Sequence, residues 1–151
     1  MIKKYIFDNE RHHASKWTVL FIDMSIVAVS FVAAYFIRFN LSFNFDVQRL
    51  WTQLPIVLIL FLGAFLVSGS YKGVVRHTGI KDVYAIFNAI CLASIGIIAI
   101  ILLNRYVNLV GGFTIPLYII IINSLLTFIT LTSSRFVFKI CYDSLIKSNE
   151  M

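Results

Sequence analysis

Residues 83–103 read VYAIFNAICLASIGIIAIILL, twenty-one positions without a charge. As an α-helix this run is about 32 Å long, close to the thickness of a bilayer's hydrocarbon core. Its large apolar residues recur on every side, so it has no polar face to turn toward water. The pattern repeats outward in both directions. Residues 54–71 read LPIVLILFLGAFLVSGSY, residues 17–37 read WTVLFIDMSIVAVSFVAAYFI, and residues 113–132 read FTIPLYIIIINSLLTFITLT. Asp23 is the one charged residue in the four runs.

The fold class expected is therefore an all-α membrane protein with four transmembrane helices, over about residues 17–38, 50–71, 80–104 and 113–135. The second helix is expected to start near Leu50, and Pro55 and Pro116 then fall close to helix starts, where a missing N–H costs little. Composition agrees: the 151 residues are 60% hydrophobic and 13% charged, with a mean hydropathy of +0.89. An ordinary soluble domain is about half apolar, and a disordered chain is far more polar. A cleaved signal peptide is not expected at the N-terminus. The first apolar run is too long, Asp8 and Glu10 precede it, and no small-residue cleavage pattern closes it.

The net charge of +6 does not point to nucleic acid, because the cations sit in short loops and tails rather than on one solvated face. Their distribution instead sets orientation. Lys3, Lys4, Arg11 and Lys16 precede the first helix, Lys72, Arg76 and Lys81 lie between the second and third, and Arg135, Lys139 and Lys147 follow the fourth. Only Arg38, Arg49 and Arg105 fall on the opposite side. The excess of lysine and arginine predicts both termini and the loop YKGVVRHTGIKD, residues 71–82, to be cytoplasmic. Residues 1–16 then form a cytoplasmic tail, residues 17–132 the transmembrane domain, and residues 133–151 a cytoplasmic helical extension.

Asp23 lies six residues, about 9 Å, into the first helix, where a carboxylate needs a partner. It reads either as part of a proton or cation relay or as a structural carboxylate near the cytoplasmic interface, neutral or else paired with Arg76 or Arg135. A transporter is expected to carry further ionisable groups in its helices, and none appears. Asn88, Ser94, Asn123, Ser124 and Thr127 read as hydrogen-bonding groups between helices, and Ala89, Ala93 and Gly96 as a face permitting close approach. Arg135, Lys139, Asp143 and Lys147 recur every four residues, which puts them on one face of a helix continuing past the membrane.

Cys91 and Cys141 have no disulfide or metal spacing, and His12, His13 and His77 lack acidic or cysteine partners. No dinucleotide-binding glycine motif, phosphate loop, nucleophile elbow or zinc-protease motif is present. No catalytic, cofactor-binding or metal-binding residue is therefore assigned. In the 71–82 loop, Tyr71 reads as an interfacial aromatic, Gly73 and Gly79 as turn residues, and Thr78 as a cap for the third helix with Asp82 in its first turn. Lys72, Arg76 and Lys81, with Arg135 and Lys139, are candidates for contact with a lipid phosphate or a docked domain.

Taken together, the early Asp23, the Arg38-Phe39 exit, the loop Y-K-G-x-x-R-H-T-G-I-K-D and the Ser134-Arg135 exit resemble the N-terminal membrane domain of the CapD-like polysaccharide biosynthesis proteins. These are membrane-bound nucleoside-diphosphate-sugar dehydratases and epimerases. The resemblance runs from about Trp17 to Lys147 and is most distinctive over Tyr71–Asp82. It implies a membrane anchor at a bacterial inner membrane, followed by Rossmann-type domains that bind NAD(P) and act on a UDP-sugar. Those domains have no counterpart within these residues, so no cofactor is expected on this chain itself. The partners implied are membrane lipids, a downstream Rossmann-type domain or membrane glycosyltransferases, with room for a homo-oligomer and no nucleic acid. Two other readings remain open: a small flippase subunit for a polyprenyl-linked sugar, using Asp23 and the basic loop, and a structural partner of another membrane protein.

Overall fold

A computed structural model of the chain describes residues 2–41, 46–70, 79–107 and 114–149. They form four helices: α1 (Ile2–Arg38), α2 (Val47–Ser68), α3 (Ile80–Val107) and α4 (Leu117–Asn149). Each helix packs on two others, α1 on α2, α2 on α3, α3 on α4 and α4 back on α1, so the bundle closes as a ring. Short connections make successive helices antiparallel.

Apolar stretches long enough to cross a membrane occupy Trp17–Arg38, Val47–Ser68, Ile80–Val107 and Leu117–Cys141. The shortest of these, 22 residues, measures about 33 Å and spans the hydrocarbon layer. One stripe of each helix is buried. Val27, Phe31 and Ala34 of α1 meet Val57, Phe61 and Phe65 of α2, Ala89, Ala93 and Ile97 of α3, and Ile119 and Leu131 of α4 in one core. The remaining surface is equally apolar, with Phe21 75%, Val67 79% and Ile95 65% exposed. Apolar surface on every side needs a hydrocarbon solvent. The chain is an all-α, four-helix, multi-pass membrane protein.

The helix ends differ from the expected ones for local reasons. α1 begins at Ile2 rather than near Trp17, because no glycine or proline interrupts residues 1–38. It ends with Asn40 and Leu41 at positive φ and Leu41 N–H donating to the Phe36 carbonyl at 2.8 Å, a six-to-one closure. α2 begins at Val47, where Asp46 caps the helix by accepting from Gln48 N–H at 3.2 Å. Pro55 is consequently interior to α2 and leaves the Trp51 carbonyl without its usual helical partner. Gly69, left-handed at φ 63°, stops α2 at Ser68 rather than Tyr71. α4 starts after Pro116, at Leu117 rather than residue 113, and runs unbroken to Asn149. The periodic Arg135-to-Lys147 segment is thus a continuation of the fourth helix.

Where helices touch, small side chains set the spacing. Gly96 of α3 lies so close to α2 that a Cβ there would sit 3.4 Å from Leu60 Cδ2. α3 and α4 are joined by the hydroxyls of Ser94 and Ser124, 2.8 Å apart, and by Phe87 and Phe128, edge to face at 6.0 Å.

Candidate functional site at the Arg135 end of the bundle

Asp23 is held by α1 and Arg135 by α4, and the antiparallel packing of these helices brings them together. Arg135 Nη2 donates to Asp23 Oδ2 at 2.6 Å, and the two side chains are 5% and 4% exposed. Arg135 Nη1 donates to the Ser70 carbonyl at 3.3 Å. One guanidinium therefore ties the beginning of the α1 span and the end of α2 to α4. The register of α4 explains the burial: Ile119, Asn123, Thr127, Leu131 and Arg135 recur every four residues and are all buried. Arg135 belongs to that inner stripe, so it is not on the exposed basic surface expected of a docking residue.

Chemically the pair is self-contained. An isolated charge in hydrocarbon is expensive, whereas here the carboxylate receives a charge-assisted bond and the guanidinium serves two acceptors. The carboxylate meets Arg135, one of the two cations that the sequence offers it. Lys72, Arg76 and Thr78 lie outside the described residues. Lys81, in the first turn of α3, and Lys139, one turn beyond Arg135, are both exposed. They lie at the same end of the bundle as the ion pair.

Beside the pair, a cavity of about 220 Å³ opens between α3 and α4. Its walls are Gly79, Ile80, Val83 and Ile86 on one side and Thr132, Arg135 and Phe136 on the other. Among the described residues no group of three or more histidine, cysteine or acidic side chains is placed to hold a metal.

The other polar residues of the helices divide into two kinds. Ser94 bonds Ser124, which also donates to the Ile120 carbonyl at 2.8 Å. Thr127 donates to Asn123 Oδ1 at 3.4 Å, within α4. Asn88, expected between helices, is exposed on the outer face of α3, because the inner stripe passes through Ile86, Ala89 and Ala93 instead.

A second polar cluster at the opposite end is absent from the sequence reading. The Tyr35 hydroxyl donates to Gln53 Oε1, and Gln53 Nε2 donates to the Thr114 carbonyl at 3.1 Å. Gln53 is 2% exposed, so α1, α2 and the chain entering α4 are latched by one amide. Its signal in the sequence is the spacing of Leu50, Gln53, Val57 and Phe61, which puts a glutamine on the buried stripe once α2 is known to start at Val47.

No protein-family model, no curated protein and no solved structure matches the chain.

Proposed function

We propose that this chain is the membrane-anchoring domain of a capsule- or O-antigen-type polysaccharide biosynthesis protein. In this reading it holds a cytoplasmic UDP-sugar 4,6-dehydratase or epimerase at the bacterial inner membrane, near the glycosyltransferases that use its product. The biosynthetic context comes from the resemblance of Asp23, the 71–82 loop and the Ser134-Arg135 exit to the CapD-like proteins. NAD(P) belongs to the enzymatic domain and not to these residues.

The observation that carries the anchoring role is the course of α1 and α4 beyond the apolar spans. α1 has 15 residues before Trp17 and α4 has eight after Cys141, about 22 Å and 12 Å of helix. Both emerge at the end where Asp23 meets Arg135, so two helices rise side by side from one face of the membrane. Rigid helices leaving together suit the support of a soluble domain. The flippase reading relies on Asp23 as a working carboxylate, and the engagement of Asp23 with Arg135 favours the anchor.

Two experiments test this reading. Cys141 is a free, exposed thiol at the end of the α4 span. In a Cys91→Ser background, an impermeant maleimide is expected to label Cys141 only after the cytoplasmic side is opened; labelling in intact cells would overturn the orientation. The gene beyond codon 151 is expected to continue into a strand and a glycine-rich dinucleotide turn. A stop codon there, together with lipid transport that is lost in Asp23→Asn, would replace the anchor by the flippase.

A further inference from the structure

We propose that the outward face of α3 is a dimerisation surface, where a second copy of this chain packs its own α3 in parallel and the two Asn88 amides hydrogen-bond to each other. Asn88 lies five residues, about 7.5 Å, inside the uncharged run that opens at Val83. Its side chain is exposed and makes no hydrogen bond among the described residues. Lipid tails offer neither donor nor acceptor, so an amide facing them is costly. The side chain is too short to carry its polar end to the headgroups, as a lysine or arginine does. Hydroxyls have another outlet. Ser25 and Thr52, also exposed, donate to the carbonyls of Phe21 and Gln48 at 2.9 and 3.0 Å, and Thr130 and Ser133, exposed on α4, reach the same outlet by rotating one bond. A side-chain amide, with two donors and an acceptor oxygen, is not satisfied within its own helix.

The pattern around Asn88 identifies what covers it. Tyr84, Asn88, Cys91, Ile95, Ile98 and Leu102 are spaced by four and three residues in strict alternation, and all are exposed. At 100° per residue they fall within an arc of about 80°. The buried stripe of α3, through Ile86, Ala89, Ala93 and Ile97, lies on the opposite side, so the arc points straight out of the bundle. A repeat of 3.5 residues is the seam of a left-handed coiled coil, and membrane helices commonly cross in that way, at about 20°. A single asparagine in such a seam fixes register and oligomeric state. The repeat is bounded by Lys81 and Arg105, both exposed and outside the uncharged run, where long side chains spread into the headgroup layers.

The chemistry of the amide selects a second copy over other occupants. Copies inserted in one orientation carry Asn88 at the same depth, and a twofold axis along the membrane normal brings like positions of the two α3 helices face to face. Each amide then donates through Nδ2 to the Oδ1 of the other, so the pair is satisfied reciprocally. A different membrane protein would have to supply a polar group at that depth, and lipid tails supply none.

The surface is independent of the anchor assignment, since a stand-alone chain would present it equally. Its test uses a thiol the chain already has: Cys91, free and exposed, sits in the seam one turn from Asn88 and would face Cys91 of the second copy. In membranes carrying the full chain with Cys141→Ser, copper phenanthroline is expected to link two copies through Cys91. With both native cysteines changed to serine, Ile98→Cys is expected to restore the link, whereas Leu103→Cys, exposed on α3 but off the repeat, and Val29→Cys, exposed on α1, are not. Energy transfer between labelled copies in phosphatidylcholine vesicles then reads affinity. Asn88→Leu is expected to raise the dimer dissociation constant about tenfold through two lost interhelical hydrogen bonds, and Asn88→Gln, which keeps the amide, to stay within about threefold. An exposed position leaves the fold of each copy intact, so the loss is read on folded protein. A dimer equally tight in Asn88→Leu would overturn the proposal. So would a chain that stays monomeric in vesicles, which gives the face to lipid, or a Cys91 link to a different protein with none between copies, which gives it to another membrane protein.

Discussion

Arg135 and Asp23, 112 residues apart, share a 2.6 Å hydrogen bond between Nη2 and Oδ2 inside the apolar span. The pair closes the ring of helices by joining α4 to α1. It also places a compensated charge where an uncompensated one is poorly tolerated.

Removing one partner is therefore predicted to be worse than removing both. Asp23→Leu or Arg135→Leu alone should cost about 3–5 kcal/mol by leaving a buried charge. The double change to apolar residues of similar volume should cost clearly less than the sum, as read from unfolding in detergent micelles. Additive single effects would argue against a coupled pair.

The Asp46–Arg49 pair is predicted to behave in the opposite way. Its 3.0 Å contact joins an Asp46 side chain 55% exposed to an Arg49 side chain 69% exposed at the start of α2, and such pairs contribute about 0–1 kcal/mol. Arg49→Ala should shift the midpoint little and only at low salt, whereas Asp46→Ala should cost about 1 kcal/mol through the lost cap. The comparison separates capping from charge pairing.

The Gln53 latch is predicted to matter for the end opposite Arg135. Tyr35→Phe removes one hydrogen bond, worth about 0.6–1.7 kcal/mol between membrane helices. Gln53→Leu removes two at once and frees the Thr114 carbonyl. Hydrogen exchange at residues 114–118 should accelerate in Gln53→Leu, and unchanged protection there would refute the latch.

Glycines in α2 and α3 are predicted to differ. A Cβ on Gly63 meets no atom within 4 Å, so Gly63→Ala should stabilise by about 0.5–1 kcal/mol through helix propensity. Gly96 faces Leu60 at contact distance, so a large residue there, as in Gly96→Phe, should push α2 from α3 and cost about 1–3 kcal/mol. Melting of both variants in one detergent checks the contrast.

How far the sequence reached depended on whether a property was local. The four spans were legible because the length of an uncharged run decides whether a helix fits a bilayer, and Val83–Leu103 satisfies that without its neighbours. The continuation of α4 was legible from the four-residue spacing of Arg135, Lys139, Asp143 and Lys147. The helical start of α1 was not, since charged residues before Trp17 look like a tail although nothing in them breaks a helix.

The partners of the polar side chains were decided only by the tertiary structure. Whether Arg135 faces lipid, water or Asp23 depends on its angle about the α4 axis and on the register of α4 against α1. Asn88 faces outward and Gln53 inward for the same reason, although both are amides in apolar helices. By itself the sequence determined that the chain crosses the membrane four times, because burial in hydrocarbon is additive along a run. Which side chains meet inside depended on packing between distant helices, where a rotation of one residue, about 100° on a helix, exchanges a buried partner for lipid.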